Sequence, residues 1–227
     1  SEFADSRSRL QLSWIDMKRR TAISMQRSSC CTRSRTAARH TPARSHPRIP
    51  RHLFMDSSFV DHAYQDKAFP IAASQTISQP YTVAFQSELL EINPGDKILE
   101  IGTGSGYQAA VLCLLGAHVY SIERQVELFK KTSKFLPKIG YVPKRLIFGD
   151  GYKGLVDEAP FDRIIVTAGA PFVPKPLLSQ LKIGGRLVIP VGNVDQIMTL
   201  YIRKGPKEFE KHELGSFKFV PLLENKN

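Results

Sequence analysis

From position 96 onward, short apolar runs alternate with glycine, proline and charge. Lys97-Ile98-Leu99-Glu100-Ile101 is a strand-like run that ends in glycines. Residues 107–115 are apolar nearly all round, the pattern of a buried helix. Residues 118–122 read as a second strand. Val126, Phe129, Ser133 and Leu136 recur at helical spacing, with Pro137 and Gly140 marking the end. Residues 145–148 form a third strand and residues 161–167 a fourth. Leu177, Leu178 and Leu181 share a helix face that Gly184-Gly185 stops, and residues 187–191 form a fifth strand. This order predicts an α/β fold, a mostly parallel sheet with helices on both faces. Residues 198–202 and 217–222 read as strands with only charged loop between them, an antiparallel pair closing the sheet edge. Upstream, Tyr81, Phe85, Leu89 and Ile92 line one side of a helix.

Composition divides the chain. Its 227 residues carry 32 Lys plus Arg against 21 Asp plus Glu, a net charge of +11. Residues 1–50 hold ten Arg and one Lys against three acidic residues, whereas the remainder holds 15 Lys, six Arg and 18 acidic residues. Segment 1–49 therefore stands apart from a single domain at 50–227. Four readings compete for it: a transit peptide, a nucleic-acid-binding arm, a tail without a role, or a cloning or reading-frame artefact opening on Ser1-Glu2-Phe3. The abrupt switch from Arg to Lys favours the last two, and Trp14 alone interleaves the arginines with an aromatic ring. Cys30 and Cys31 lack C-x-x-C spacing. No apolar run approaches the ~20 residues of a membrane span. Three cysteines exclude a disulfide scaffold, and no Cys/His group has zinc spacing, so a reduced, cytoplasmic setting without a metal is expected.

Gly102-Thr103-Gly104-Ser105-Gly106 lies between the first strand and its helix. Glycines let backbone approach a ligand, and the helix N-terminus offers free N–H groups. A tight βα turn uses glycines as well. The spacing is G-x-G-x-G, and Tyr107 stands where a dinucleotide site wants glycine or alanine. The next strand ends in Glu123, placed to accept both hydroxyls of a ribose or to cap the following helix. The third ends in Gly149-Asp150-Gly151, where the aspartate can reach an adenine amino group or make a turn. Three such signals at successive carboxyl ends of strands point to adenosine. The missing third dinucleotide glycine turns the reading from NAD toward S-adenosylmethionine.

At this point the chain resembles a family. The run Leu99-Glu100-Ile101-Gly102-Thr103-Gly104-Ser105-Gly106-Tyr107-Gln108-Ala109-Ala110 resembles motif I of protein-L-isoaspartate O-methyltransferases. Pro50-Arg51-His52-Leu53-Phe54, Pro70-Ile71 and Gln75-Thr76-Ile77-Ser78-Gln79-Pro80 are similar to that family's more specific segments. So are Val119-Tyr120-Ser121-Ile122-Glu123-Arg124, Ala159-Pro160-Phe161-Asp162 and residues 185–192. The glycine loop is generic to class I methyltransferases. Gln79-Pro80 and the absence of a histidine at Tyr81, Thr82 or Val83 resemble the bacterial form.

The resemblance implies a Rossmann-like class I methyltransferase fold. It implies methyl transfer from S-adenosyl-L-methionine, leaving S-adenosyl-L-homocysteine, to the α-carboxylate of L-isoaspartyl residues in damaged proteins. The ester collapses to a succinimide that can open to normal aspartate. By the same resemblance Ser78 is the active-site serine. Gln75, Thr76, Ile77, Gly102, Thr103, Gly104, Ser105, Gly106, Glu123, Asp150 and Gly151 match cofactor positions, and Val220, Pro221 and Leu222 match the strand that lines the peptide site. The expected partners are isoaspartyl proteins and peptides, taken by a monomer without nucleic acid or membrane. Residues 1–49 depart from the helices that the family carries ahead of Pro50.

The chemistry agrees with the residue inventory. An α-carboxyl group, with a reference pKa of about 3.3–3.7, is already ionised at neutral pH and needs no general base. In-line positioning and water exclusion remain, and proximity alone supplies roughly 7–11 kcal/mol. Ser78 is expected to orient the acceptor carboxylate; before Gln79-Pro80 it also has the look of an N-cap. His52 reads as a structural hydrogen-bonder and Cys113 as an inert core residue. An RNA base methyltransferase is the first rival, but Thr167-Ala168-Gly169-Ala170-Pro171 lacks the Asp/Asn-Pro-Pro-aromatic run of amino-group methylation. A non-catalytic adenosine-binding module and an NAD dehydrogenase are the others.

Overall fold

The computed structural model describes residues 49–226; segment 1–48, with Trp14, Cys30 and Cys31, lies outside the described residues. Two 3-10 turns, Arg51–Phe54 and Ser57–His62, lead into a hairpin of strands β1 (Phe69–Pro70) and β2 (Thr76–Ile77). Helix α1 (Pro80–Leu90) begins on proline, whose missing N–H has no intrahelical partner to lose there. There follow β3 (Lys97–Ile101), α2 (Tyr107–Leu114), β4 (His118–Glu123), α3 (Val126–Lys138), β5 (Arg145–Phe148), β6 (Phe161–Val166), α4 (Lys175–Ser179), β7 (Leu181–Val191), β8 (Gln196–Arg203) and β9 (Phe209–Phe217).

Strands β3 to β9 form one sheet in the order β5-β4-β3-β6-β7-β8-β9. The first five in that order run parallel, and β8 and β9 are antiparallel additions. The chain winds outward from β3 through β4 and β5, then returns to set β6 on the other side of β3. That reversal opens a crevice at the carboxyl ends of the strands, where α/β sheets bind ligands.

Alternation along the strands builds a core on each face. Ile98, Val119, Ile165 and Val188 pack with Leu90 of α1 and Leu112 of α2. Their neighbours Leu99, Ile122, Ile164, Val166 and Leu187 pack with Leu177 of α4 and with Leu222. Two arginines from the sheet close the end of α1. Arg163 donates to the Leu90 carbonyl and Arg186 to the Leu89 carbonyl, satisfying acceptors that a helix end leaves open.

Several elements differ from the sequence expectation. The charged stretch read as loop is the edge strand β9; Glu210, Lys211, His212 and Glu213 line it, and charge protects a sheet edge from further pairing. Phe217 ends that strand, and residues 218–222 continue as extended chain with only a bridge at Pro221. Gly184-Gly185 does not stop a helix: α4 ends at Ser179, Leu181 opens β7, and the glycines lie in a bulge beside β6. The buried face of α3 is Leu128, Thr132 and Leu136, while Val126 is exposed. Gly106 makes room for this face, because a Cβ there would stand 2.8 Å from Thr132 and 3.0 Å from Leu136. Helix α2 is buried at Gln108, Ala109, Ala110 and Leu112, and of its residues Leu114 is exposed. In α1 the buried residues are Thr82, Val83, Gln86, Ser87 and Leu90, while Phe85, Leu89 and Ile92 of the expected side pack half-buried against the same core. The buried polar members are partly satisfied: Gln86 donates to the Val166 carbonyl and Ser87 to the Val83 carbonyl, while Gln86 Oε1 is buried without a partner.

Candidate active site

Gly102, Glu123 and Asp150 stand at the carboxyl ends of three adjacent strands, β3, β4 and β5, Glu123 as the last residue of its strand. Adjacent strands lie about 4.8 Å apart, so the row spans about 10 Å, the length of a nucleoside. Gly102 adopts φ +95°, a left-handed conformation that favours glycine, and a Cβ would stand 2.5 Å from Thr167 Oγ1. Thr167 donates to the Gly102 carbonyl at 2.7 Å and so fixes the turn from the β6 side. The N–H groups of Gly102 and Thr103 both donate to the Ile122 carbonyl, at 2.9 and 3.3 Å. Gly104 is held from both ends: its N–H donates to Glu123 Oε2 at 2.8 Å and its carbonyl accepts from Thr132 Oγ1 at 2.7 Å. Ser105 completes the loop.

Glu123 makes the helix cap foreseen for its position and adds a tie to the glycine loop. Its Oε1 accepts from the Gln125 N–H at 2.8 Å, at the start of α3, while Oε2 ties down the glycine loop. Each carboxylate oxygen has a second lone-pair site, so the group can still accept two ligand hydroxyls. Asp150 likewise makes a turn, accepting from the Tyr152 N–H at 3.0 Å through Oδ1, with Gly151 opening the 3-10 turn beyond it. Its Oδ2 lies 4.0 Å from Lys153 Nζ. A cradle closed to side chains at Gly102, beside two carboxylates with acceptor capacity to spare, fits an adenosyl ligand.

Beneath the loop lies a carboxyl group to which the motif assigned no role. Glu100 is fully buried in β3, and Ser121 Oγ donates to its Oε2 at 2.5 Å. Ser121 also bonds Thr103 Oγ1 at 2.6 Å, linking the acid to the loop, while Glu100 Oε1 is buried without a partner. Burial pushes the Glu100 pKa up to about 8; the Ser121 hydrogen bond opposes this and the Glu123 charge adds to it. A lone glutamate inside an apolar strand run was the available signal.

The second wall of the site is the β1–β2 hairpin. Phe69 pairs with Ile77 and Pro70 with Thr76, and the turn closes with the Gln75 N–H donating to the Ala72 carbonyl. Ile77 is buried with Phe54, Ala109 and Ala110, while Thr76 is exposed. Ile71 lies 3.6 Å from where a Cβ on Gly104 would stand, so the hairpin rests on the glycine loop. Ser78 follows β2 and is half-buried. The N-cap of α1 is Gln79, which makes no side-chain cap, and the Ser78 hydroxyl has no hydrogen-bond partner among the described residues. The capping alternative for Ser78 is therefore set aside. Arg51 holds this region: its guanidinium donates to the carbonyls of Ala63, Lys67 and Ser78. Sequence reasoning quoted Arg51 only as part of a segment, and no periodicity marks a buried arginine. His52 bonds the Tyr64 hydroxyl at the surface, as expected of a structural histidine.

Val220-Pro221-Leu222 crosses the same sheet edge. The Gly169 N–H donates to the Val220 carbonyl and the Leu222 N–H to the Gly169 carbonyl, so the segment lies alongside the residues that follow β6. Leu222 is buried in the core, and Val220 packs against it. A cavity of about 560 Å³, lined among others by Phe54, Phe59, Ile71 and Phe135, reaches the loop at Ser105. Cys113 is a free thiol pushed up to about 12 by burial and, secondarily, by Glu100, in keeping with an inert role. Among the described residues no group of three His, Cys, Asp or Glu could hold a metal ion, and no helix is long and apolar enough to cross a membrane.

The family model described as protein-L-isoaspartate(D-aspartate) O-methyltransferase matches residues 33–227. The chain belongs to this family. The match reaches back past the boundary expected at residue 50, into the stretch outside the described residues. The protein-L-isoaspartate O-methyltransferase of Christiangramia forsetii is 77% identical over 179 residues, which cover 79% of this chain and 84% of that protein. That of Flavobacterium psychrophilum is 73% identical over 180 residues, with the same shares covered, 79% and 84%. A solved protein-L-isoaspartate O-methyltransferase superposes with a TM-score of 0.71 at 28% identity, covering 78% of this chain and 59% of that longer one. A Plasmodium falciparum structure in complex with S-adenosyl-L-homocysteine gives 0.67 at 24% identity, covering 77% of this chain and 86% of that one, and attests the fold. The Rossmann-like methyltransferase fold with its antiparallel C-terminal strands is thus as expected.

Proposed function

We propose that this chain transfers a methyl group from S-adenosyl-L-methionine to the α-carboxylate of L-isoaspartyl residues in damaged proteins, as a repair enzyme. Family membership supports the reaction class. The observation that carries the reading in this chain is the seating of the Ser78 hairpin on the glycine loop, through Ile71 against Gly104. An acceptor held at Ser78 then lies beside a cofactor held at Gly102, Gly104, Glu123 and Asp150.

S-adenosyl-L-methionine supplies an activated methyl group when bound. The side chains do the rest without proton transfer. Glu123 accepts the ribose hydroxyls and Asp150 the adenine amino group. Gln75, Thr76 and Ile77 close over the cofactor with Thr103, Ser105, Gly106 and Gly151. The Ser78 hydroxyl, without a hydrogen-bond partner among the described residues, would donate to one oxygen of the substrate carboxylate and turn the other toward the methyl. Val220, Pro221 and Leu222 offer extended backbone to the substrate peptide. Residues 50–227 carry this domain, and a cytoplasmic monomer acting on isoaspartyl proteins belongs to the same reading.

The test is labelled methyl transfer to an isoaspartyl peptide and to its aspartyl twin. The reading requires label on the first and none on the second. Equal labelling, or binding of cofactor without transfer to either, would overturn it.

A further inference from the structure

We propose that Arg51 is a positioning residue for Ser78: its guanidinium holds the Ser78 backbone so that the hydroxyl faces the acceptor carboxylate. The inference rests on the reading of Ser78 given above.

Arg51 is 1% exposed, and its hydrogen-bond acceptors are three backbone carbonyls. They come from three segments: Ala63 after the second 3-10 turn, Lys67 before β1, and Ser78 after β2. The Lys67 and Ser78 bonds, at 2.9 and 3.0 Å, share one nitrogen, which therefore bridges the entry and exit of the hairpin. The guanidinium is itself fixed, lying 5.7 Å from the Phe69 ring centroid and 5.9 Å from that of Tyr107.

What this does for Ser78 follows from its neighbours. Ile77 is pinned by its pairing with Phe69. The Tyr81 N–H is pinned by Asp66 at 2.9 Å. Between them Pro80 has no N–H to give, and Arg51 supplies the hydrogen bond made to the Ser78 carbonyl. A trans peptide is planar, so holding that oxygen also sets the direction of the Gln79 N–H and limits the rotation of Ser78. Packing alone does not explain a charged group here. Arg51 Nε is buried without a partner, and an apolar side chain of similar volume would avoid that penalty. The planar fork of arginine reaches several carbonyls at once, which a lysine ammonium cannot reproduce in the same geometry.

The experiment is a double-mutant cycle in the full-length enzyme with Arg51→Lys and Ser78→Ala, reading kcat and KM for an isoaspartyl peptide and the Kd of S-adenosyl-L-homocysteine. Arg51→Lys is expected to lower kcat by about tenfold or more, with Kd changed less than about threefold, as misplacement near the chemistry does. In the Ser78→Ala background the same change should lower kcat/KM by less than about twofold, because the group it positions is gone. Equal losses in both backgrounds, or a loss of cofactor affinity matching the loss of turnover, would overturn the proposal and leave Arg51 a general structural residue. Unimpaired turnover in Ser78→Ala alone would instead defeat the serine reading, and is visible before the second substitution is made. If Arg51→Lys does not fold, Arg51→Gln, which keeps a carbonyl-binding amide, enters the same cycle with the same criteria.

Discussion

The two walls of the site are held by different means. The cofactor wall consists of strand ends, set by a seven-stranded ladder and by backbone bonds such as those from Gly102 and Thr103 to Ile122. The acceptor wall stands outside that sheet. Its strands are two residues long, too short for independent stability, and side chains hold it: Arg51 on three carbonyls and Asp66 on the Tyr81 N–H. Turnover should therefore suffer more than cofactor affinity when the acceptor wall is damaged, since of the cofactor positions only Gln75, Thr76 and Ile77 lie on it.

The largest expected effect lies under the cofactor wall. The Glu100 pKa of about 8 stands well above its ordinary value of 4.5, chiefly because the group is buried. Between those values the folded state binds more protons than the unfolded state, so stability falls as pH rises. The contribution is full below pH ~4.5 and lost above pH ~8, on the order of 5 kcal/mol across the window. Glu100→Gln keeps an acceptor for Ser121 and removes the titration. Chemical melts at pH 5 and pH 9 should therefore show a smaller decline in the variant than in the parent; matching declines would mean that Glu100 stays ionised.

Next comes Glu123→Ala. It removes a charged acceptor from the nucleoside row and frees the Gly104 N–H, so the affinity for S-adenosyl-L-homocysteine should drop by about 1.5–3 kcal/mol. Calorimetric titration reads this. Unchanged affinity in a folded variant would reduce Glu123 to the caps it makes on Gly104 and Gln125.

On the acceptor wall, Ser78→Ala and Ser78→Gly should behave alike. Because the cap of α1 is Gln79, neither removes a helix cap, and both should stay within about 0.5 kcal/mol of the parent in stability. Both should lose roughly 10- to 150-fold in kcat/KM, the worth of one hydrogen bond to a charged group, with cofactor affinity kept. A melt lowered only in the alanine variant would restore the capping role.

The contrast between the walls also explains what the sequence revealed. Strands β3, β4 and β6 announce themselves because both faces are buried, which makes continuous apolar runs, and the glycine loop and its carboxylates follow at their ends. Strand β9 escaped because an edge strand is protected by the same charge that makes it look like loop. The inner face of α1 escaped because Gln86 and Ser87 are buried polar groups bonded to Val166 and Gln108 far along the chain, which no periodicity encodes. The hairpin was legible only through its resemblance to a family segment. Two-residue strands carry no pattern, and the Arg51 bonds span 12 to 27 positions.

The smallest expected effect sharpens the comparison at the hairpin turn. Its central residues, Ala73 and Ser74, have φ of 56° and 54°, the left-handed region that side chains other than glycine and asparagine disfavour. Two positive φ values in succession are the mark of a type I′ turn, for which Asn-Gly is the preferred pair. The cofactor wall meets its own left-handed positions with glycine, as at Gly102; the acceptor wall does not. Ala73→Asn combined with Ser74→Gly should therefore raise the unfolding free energy by roughly 1 kcal/mol, part of the relieved strain being offset by the larger unfolded-state entropy of glycine. Chemical denaturation measures it. The affinity for S-adenosyl-L-homocysteine should stay within about twofold, because the glycine loop keeps its own ties to Ile122, Glu123 and Thr132 and the type I′ geometry that carries Gln75 is kept. A gain in stability with unchanged affinity would show that the turn is strained independently of the cofactor wall. Altered affinity would show that the two walls act as one unit and that the division drawn between them is wrong.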